Sequence, residues 1–261
     1  MLETRHCTVT LADRIMTVTI QRPERRNALN ADACHELGAV FDEFERNPAA
    51  WLAILTGAGA QNFCAGADLR DAGDRSRPPV PASGFAGLVA RFGRRKPVIA
   101  AVNGSAMGGG FEAALACDVI VAAEHAAFGL TEPRVGLAAL GGGIQRLIRE
   151  LGPKRATALL LTARKISARE AQALGLVAEV VPGDQLLAAA HRWATEILQC
   201  SPASIAATQA VAQSLDGSSL EASMRGMFAL PEVKSLLTGP DAREGVQAFA
   251  EKRPPRWTSP T

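Results

Sequence analysis

The chain has 261 residues, 48% of them hydrophobic, with 28 lysines and arginines against 26 aspartates and glutamates. That is the balance of a soluble globular protein: one sizeable core, or a core with an appendage. A formal charge of +2, the absence of tyrosine and the lack of any basic run interleaved with aromatics argue against nucleic acid as a partner. Cys7, Cys34, Cys64, Cys117 and Cys200 are widely spaced with no C-x-x-C pair, so no zinc ribbon or disulfide scaffold is expected, and a reducing compartment is the default. No uncharged run approaches the ~18–20 residues that cross a bilayer. The N-terminus, with Glu3, Arg5 and Asp13, has no secretory apolar stretch. A cytoplasmic protein without membrane contact is expected.

In chain order, Val9 and Leu11, then Met16, Val18 and Ile20, alternate with polar residues around Ala12-Asp13-Arg14, which predicts a hairpin. Ala33, Leu37, Val40, Phe41 and Phe44 have helical spacing. Trp51–Leu55, ending at Thr56-Gly57, reads as a buried strand. Pro97–Val102, Val119–Ala122 and Val177–Val181 repeat that form. Helical patterns separate these runs, so the fold class is α/β with mostly parallel strands. Asp71–Gly87 is rich in Pro, Gly, Ser and Arg and has no periodicity; it fits a mobile lid or a plain surface excursion. From Asp184 onward the pattern is helical. Asp184 is placed as the cap of a helix carrying Leu187, Ala190, Trp193, Ala194 and Ile197, and further helices are expected after Pro202, Ser218 and Pro240. This divides the chain into a core, residues 1–195, and a helical region, residues 196–261.

Chemistry is suggested by two glutamates behind turns. Glu112 closes Asn103-Gly-Ser-Ala-Met-Gly-Gly-Gly-Phe-Glu112, between a strand and a helix; Glu132 opens Glu132-Pro-Arg-Val-Gly136. Gly108, Gly109 and Gly110 let backbone amides approach a ligand, and a helix N-terminus adds unpaired N–H groups and partial positive charge. The result suits a developing oxyanion. Taken alone, the run equally fits a tight turn beneath a sheet. It is neither G-x-G-x-x-G nor a Walker motif, so a nucleotide fold gains no support. A second turn, Phe63-Cys-Ala-Gly-Ala-Asp-Leu69, follows the Trp51 strand at a similar stage, and an oxyanion hole needs two converging donors.

Phe63–Leu69 and Lys96–Glu112 resemble the two signatures of the enoyl-CoA hydratase/isomerase (crotonase) superfamily. Phe128–Gly136 and Gly142-Gly-Ile-Gln-Arg-Leu147 continue the likeness, and Arg22–Asn30 and Gly245–Arg253 resemble the family's two ends. Only Asp71–Gly87 falls outside it. The resemblance implies a spiral of repeated ββα units, with a C-terminal α-helical trimerisation region giving a homotrimer or homohexamer. It implies an acyl-CoA thioester as substrate, whose oxygen would be bound by the amides of Ala67 and Gly109. Glu112 and Glu132 match the two catalytic carboxylates of the hydratases; Glu112 is assigned as base, and Glu132, on backbone that Pro133 keeps extended, as acid. Positions beside coenzyme A would be Arg25, Ala28, Ala65, Asp68, Leu69, Arg70, Phe249 and Lys252, with Arg26 a further phosphate neighbour and the last two often reaching an adjacent subunit's site. Asp68 fits a helix cap equally well. No metal or organic cofactor is implied beyond the coenzyme A of the substrate.

The activity implied is enoyl-CoA hydratase: reversible addition of water to a 2-enoyl-CoA. The nearest alternative is a Δ3,Δ2-enoyl-CoA isomerase, which needs only the carboxylate at Glu132. A non-catalytic acyl-CoA-binding or RNA-associated relative and a Clp-like serine protease using Ser105 are further rivals, although none of the four histidines sits in a triad context. Gly136–Gly143 carries Ala139 where the family commonly has proline, so acyl preference is not transferred. Met224, Met227, Phe228 and Leu230 fit either a subunit interface or an intrachain core.

Overall fold

The computed structural model describes residues 3–71, 73, 76, 78–215 and 219–258. The alternating N-terminal residues form β1 (Cys7–Ala12) and β2 (Ile15–Ile20), an antiparallel hairpin turned by Asp13 and Arg14 at positive φ. α1 (Ala31–Arg46) follows, capped by the Asn30 side chain, which accepts the Ala33 N–H at 3.0 Å. Leu37, Val40, Phe41 and Phe44 lie on its buried face, as their spacing predicts.

Three successive chain segments then repeat one pattern. β3 (Leu52–Gly57) leads through a short turn to β4 (Asn62–Cys64); β5 (Val98–Val102) leads to β6 (Ser105–Met107) and α2 (Gly109–Leu115); β7 (Val119–Ala123) leads to β8 (Ala127–Gly129). The first strand of each pair joins a six-stranded sheet, where β3, β5 and β7 lie side by side in parallel. The second joins a four-stranded sheet, where β4, β6 and β8 do the same. A chain that visits two sheets alternately, advancing one strand each time, is a ββα spiral, so the expected fold class holds. β3 and β5 are buried along their whole length, which is why they read as continuous apolar runs without alternation.

Beyond β8 come α3 (Gly143–Leu151), α4 (Pro153–Thr162), β9 (Ile166–Ser167), α5 (Ala168–Ala173), β10 (Glu179–Val181), α6 (Leu186–Leu198), α7 (Pro202–Ser214), α8 (Leu220–Gly226), α9 (Pro231–Thr238) and α10 (Pro240–Glu251). β9 and β10 complete the smaller and larger sheets respectively. Several expectations need correction. Asp184 caps no helix: it lies inside the 3-10 turn Gly183–Gln185, and α6 begins after it without a side-chain cap. The buried face of α6 is Leu186, Ala189, Ala190 and Ala194, which leaves Leu187 exposed. α6 also runs through the expected boundary at residue 195 and packs on the large sheet, so core and helical region share it. The strand expected at Val177–Val181 is only Glu179–Val181. Ser218 lies outside the described residues; the helix expected there is α8, capped by Ser219, and α9 was not foreseen.

Of the Asp71–Gly87 stretch, residues 72, 74, 75 and 77 lie outside the described residues. Its far end is no surface excursion. Ala86 and Gly87 are buried, and a Cβ on Gly87 would lie 2.6 Å from the Cα of Gly38 in α1. Met224 and Phe228 are more than half exposed, so neither belongs to an intrachain core. Among the described residues no helix is long and apolar enough to cross a membrane.

Asn103, at the end of β5, joins the first two turns of the spiral. Its amide donates to the carbonyls of Gly57 (2.9 Å) and Gly59 (2.6 Å), and its oxygen accepts the Gly57 N–H at 3.1 Å. Asn103→Ala would strand the buried N–H and carbonyl of Gly57. Its predicted cost is ~2–3 kcal/mol, read as a lower urea midpoint with an unchanged m-value.

Candidate active site

The spiral brings the two glycine turns together through strand register. Cys64 of β4 pairs with Ala106 of β6, and three residues further along each chain stand Ala67 and Gly109. Leu29 forms a parallel bridge with Ala67: its N–H donates to Gly66 O, and its carbonyl accepts the Asp68 N–H, both at 2.9 Å. That pattern uses the groups on either side of Ala67 and turns the Ala67 N–H away from Leu29. Gly109 is the first residue of α2, where an amide has no intrahelical acceptor. Among the described residues neither nitrogen donates a hydrogen bond. The turns touch: a Cβ on Gly66 would lie 3.2 Å from the Gly109 nitrogen. Gly66 and Gly108 take φ of +92° and +53°, the left-handed region in which glycine is unstrained.

Arg22 holds the first of these turns. Its buried guanidinium donates to Ala28 O and pairs with Asp68 at 3.2 Å and Asp71 at 3.4 Å. Asp68 thus faces inward, and its Oδ1 accepts the N–H groups of Arg70 and Asp71, so it caps a turn and not a helix. The Ala65 N–H donates to Arg26 O at 3.1 Å, which lays residues 25–30 alongside residues 65–68. Arg25, Arg26, Leu69 and Arg70 are exposed along this rim, with Ala28 and Ala65 beneath. The chain does not bring Phe249 and Lys252 to that rim by any hydrogen bond or ion pair among the described residues; both are exposed at the end of α10, Phe249 by 88%.

Both glutamates border the Gly108–Gly109 turn, in unlike surroundings. Glu112, in the first turn of α2, is buried. Its Oε1 accepts the Gly143 N–H at 2.9 Å, and Gly143 opens α3, so two helix N-termini converge on one carboxylate. Burial raises its pKa; the amides of Gly143 and Gly141 and the charge of Arg146 pull it back toward the ionised form. Glu132 is half-buried. Its Oε1 lies 3.2 Å from where a Cβ on Gly108 would stand, and its buried Oε2 has no hydrogen-bond partner among the described residues. Burial raises its pKa, a backbone amide draws it partly back and the charge of Glu112 raises it again; unlike Glu112, it has no cation drawing it toward the ionised form. The extended backbone expected here is corrected: Glu132 opens a 3-10 turn, Glu132–Val135, with Pro133 in its first turn.

A cavity of about 700 Å³ adjoins Glu112, lined among others by Phe85, Val89, Phe92, Leu140, Gln145 and Arg146. The Phe85 ring packs against Gly109, 2.9 Å from where a Cβ there would stand. Sequence reasoning missed Arg22, Phe85, Gly141, Gly143 and Arg146. A buried arginine has no local signature, but the glycine run Gly141–Gly143 carried the same signal as Gly108–Gly110. Ser105 has no hydrogen bond to a histidine among the described residues, and His125 bonds the carbonyls of Ala60 and Asn103, so the serine-protease reading has no triad. No group of three or more His, Cys, Asp or Glu among the described residues could hold a metal ion.

A ββα spiral with two unpaired amides abutting at successive turns and two acids beside them is the architecture of the crotonase class. The chain belongs to the enoyl-CoA hydratase/isomerase family, whose sequence model matches residues 10–260. It is 38% identical over 253 residues to a carnitinyl-CoA dehydratase of Proteus mirabilis, covering 95% of this chain and 97% of that one. It is 41% identical over 248 residues to a mevalonyl-coenzyme A hydratase of Aspergillus fumigatus, covering 93% and 91%. Among solved structures, an enoyl-CoA hydratase from Mycobacterium tuberculosis H37Rv superposes with a TM-score of 0.90 at 38% identity, covering 97% and 98% of the two chains.

Because the folded state raises the Glu132 pKa, ionising this carboxyl works against folding. Stability falls as pH rises from the unfolded-state value through the folded one, and Gln carries no such loss. Glu132→Gln is therefore predicted to melt no lower than the parent at pH 5 and higher at pH 8, by calorimetry at both values. A lower melting temperature at pH 8 would refute this account of the site.

Proposed function

We propose that the protein is a hydratase of 2-enoyl-CoA thioesters, acting reversibly on the matching 3-hydroxyacyl-CoA. The observation that carries this reading is that both carboxyls border the turn of the unpaired amides, both raised in pKa by burial, while Glu112 alone has two amides and a cation drawing it back toward the ionised form. The thioester oxygen accepts hydrogen bonds from Ala67 and Gly109, which stabilise charge that grows in the transition state. Glu112 takes a proton from water as the water oxygen bonds to C3. The C2=C3 electrons move into the thioester as an enolate. The enolate then collapses and C2 takes the proton of Glu132. Water has been added, and one proton exchange from Glu112 to Glu132 resets the pair. The dehydration is the same path reversed.

The names of the relatives, a carnitinyl-CoA dehydratase and a mevalonyl-coenzyme A hydratase, support a hydro-lyase and leave the acyl group open. An isomerase needs one carboxylate, whereas Glu112 has been given its own grip in Gly141 and Gly143. Coenzyme A would lie along the rim of Arg25, Arg26, Ala28, Ala65, Leu69 and Arg70. The exposed Phe249, Lys252, Met224 and Phe228 support completion of the site by a second copy in a homotrimer or homohexamer.

The test is hydration of crotonyl-CoA and a panel of branched 2-enoyl-CoA thioesters, followed by loss of enoyl absorbance. Glu112→Gln and Glu132→Gln are each predicted to lower kcat by at least ~10²-fold while melting as cooperatively as the parent. Near-normal hydration in both variants would exclude the mechanism. Gly66→Val puts a branched side chain against the Gly109 amide and is expected to lower kcat by on the order of 10²-fold, with a smaller change in KM.

A further inference from the structure

We propose that Arg146 is a positioning residue for Glu112: its guanidinium ties the glycine loop that grips that carboxylate to the opposite wall of the acyl cavity. This rests on the reading of Glu112 as base and adds how the base is kept ready.

α3 carries both Gly143, whose amide donates to Glu112, and Arg146, one turn further along the helix. Arg146 Nη2 donates to the carbonyl of Val89 at 2.8 Å. Its Nη1 rests against Gly142, at φ +90°, in the space a Cβ would fill. Glu112, Val89, Gly141, Gly142 and Arg146 all line the one cavity. A single half-buried cation therefore touches the glycine loop that grips the carboxylate and the segment that carries Phe85 onto Gly109. The planar fork of arginine suits this double task better than a flexible ammonium.

The charges around it leave Glu112 as its anion. Arg146 makes no ion pair with a carboxylate among the described residues, whereas Arg94, which also faces it, is held by both oxygens of Asp118 at 2.7 Å. Arg149 adds a second positive charge from α3. The Cys117 thiol is pushed up to about 12 by burial and stays neutral. Glu132 faces Glu112 from the 3-10 turn and disfavours two anions together. Arg146 is the charge that favours the ionised form of Glu112, so its removal shifts that carboxyl toward protonation.

The experiment is the pH profile of kcat/KM on the best thioester of the panel, for the full chain, R146K, R146Q and E112Q, each with a melting curve. The acid limb is expected to move to higher pH in the order parent, R146K, R146Q. Activity of R146Q at the acid end would fall by roughly tenfold more than on the plateau. Either folded arginine variant with the parent's limb overturns the proposal; if R146Q does not fold, R146K decides it. An active E112Q would instead overturn the reading of Glu112 as base, and the two failures are distinct.

Discussion

The constraint on which this structure depends is the contact between two backbone turns at residues 66–67 and 108–109. Nothing larger than hydrogen fits between them: a Cβ on Gly66 would lie 2.9 Å from Met107 O and 3.2 Å from Gly109 N. The contact follows from the parallel pairing of β4 with β6, which is itself fixed by the pairing of β3 with β5 one sheet away. The spiral is thus a device for bringing two amides from distant parts of the chain to one point. Rigid backbone donors suit that task, because they need no reorganisation when charge appears.

Around that point the protein accepts electrostatic cost. Two carboxyls are drawn wholly or partly out of water side by side, and among the described residues neither is joined to a cation by a direct ion pair. Glu112 is compensated by amides at the start of α3, whereas one oxygen of Glu132 has no hydrogen-bond partner among the described residues. A sequence selected for stability alone would not keep that arrangement. The difference between the two environments, more than either shift alone, is what the proposed division into acid and base rests on.

Much of this could be read from the residues. The apolar runs at Leu52–Leu55 and Val98–Val102 announced buried parallel strands because both their faces are covered. The turn residues gave the places of Glu112 and Glu132. The second sheet could not be read, since Asn62–Cys64, Ser105–Met107 and Ala127–Gly129 are three residues each, too short for any periodicity. The face of α6 was misread by one residue because alanines at Ala189, Ala190 and Ala194 carry no contrast with their neighbours. Phe85 and Arg146 act through contacts far apart in sequence, and no local pattern encodes these.

The central claim is that one thioester oxygen meets both amides between the two acids. The most direct measurement is a crystal structure of the protein with a bound 3-hydroxyacyl-CoA. The account predicts the thioester oxygen about 2.7–3.1 Å from the nitrogens of Ala67 and Gly109, with C2 facing Glu132 and C3 facing Glu112. An oxygen bound by side chains or solvent, with either nitrogen turned away from it, would contradict the account.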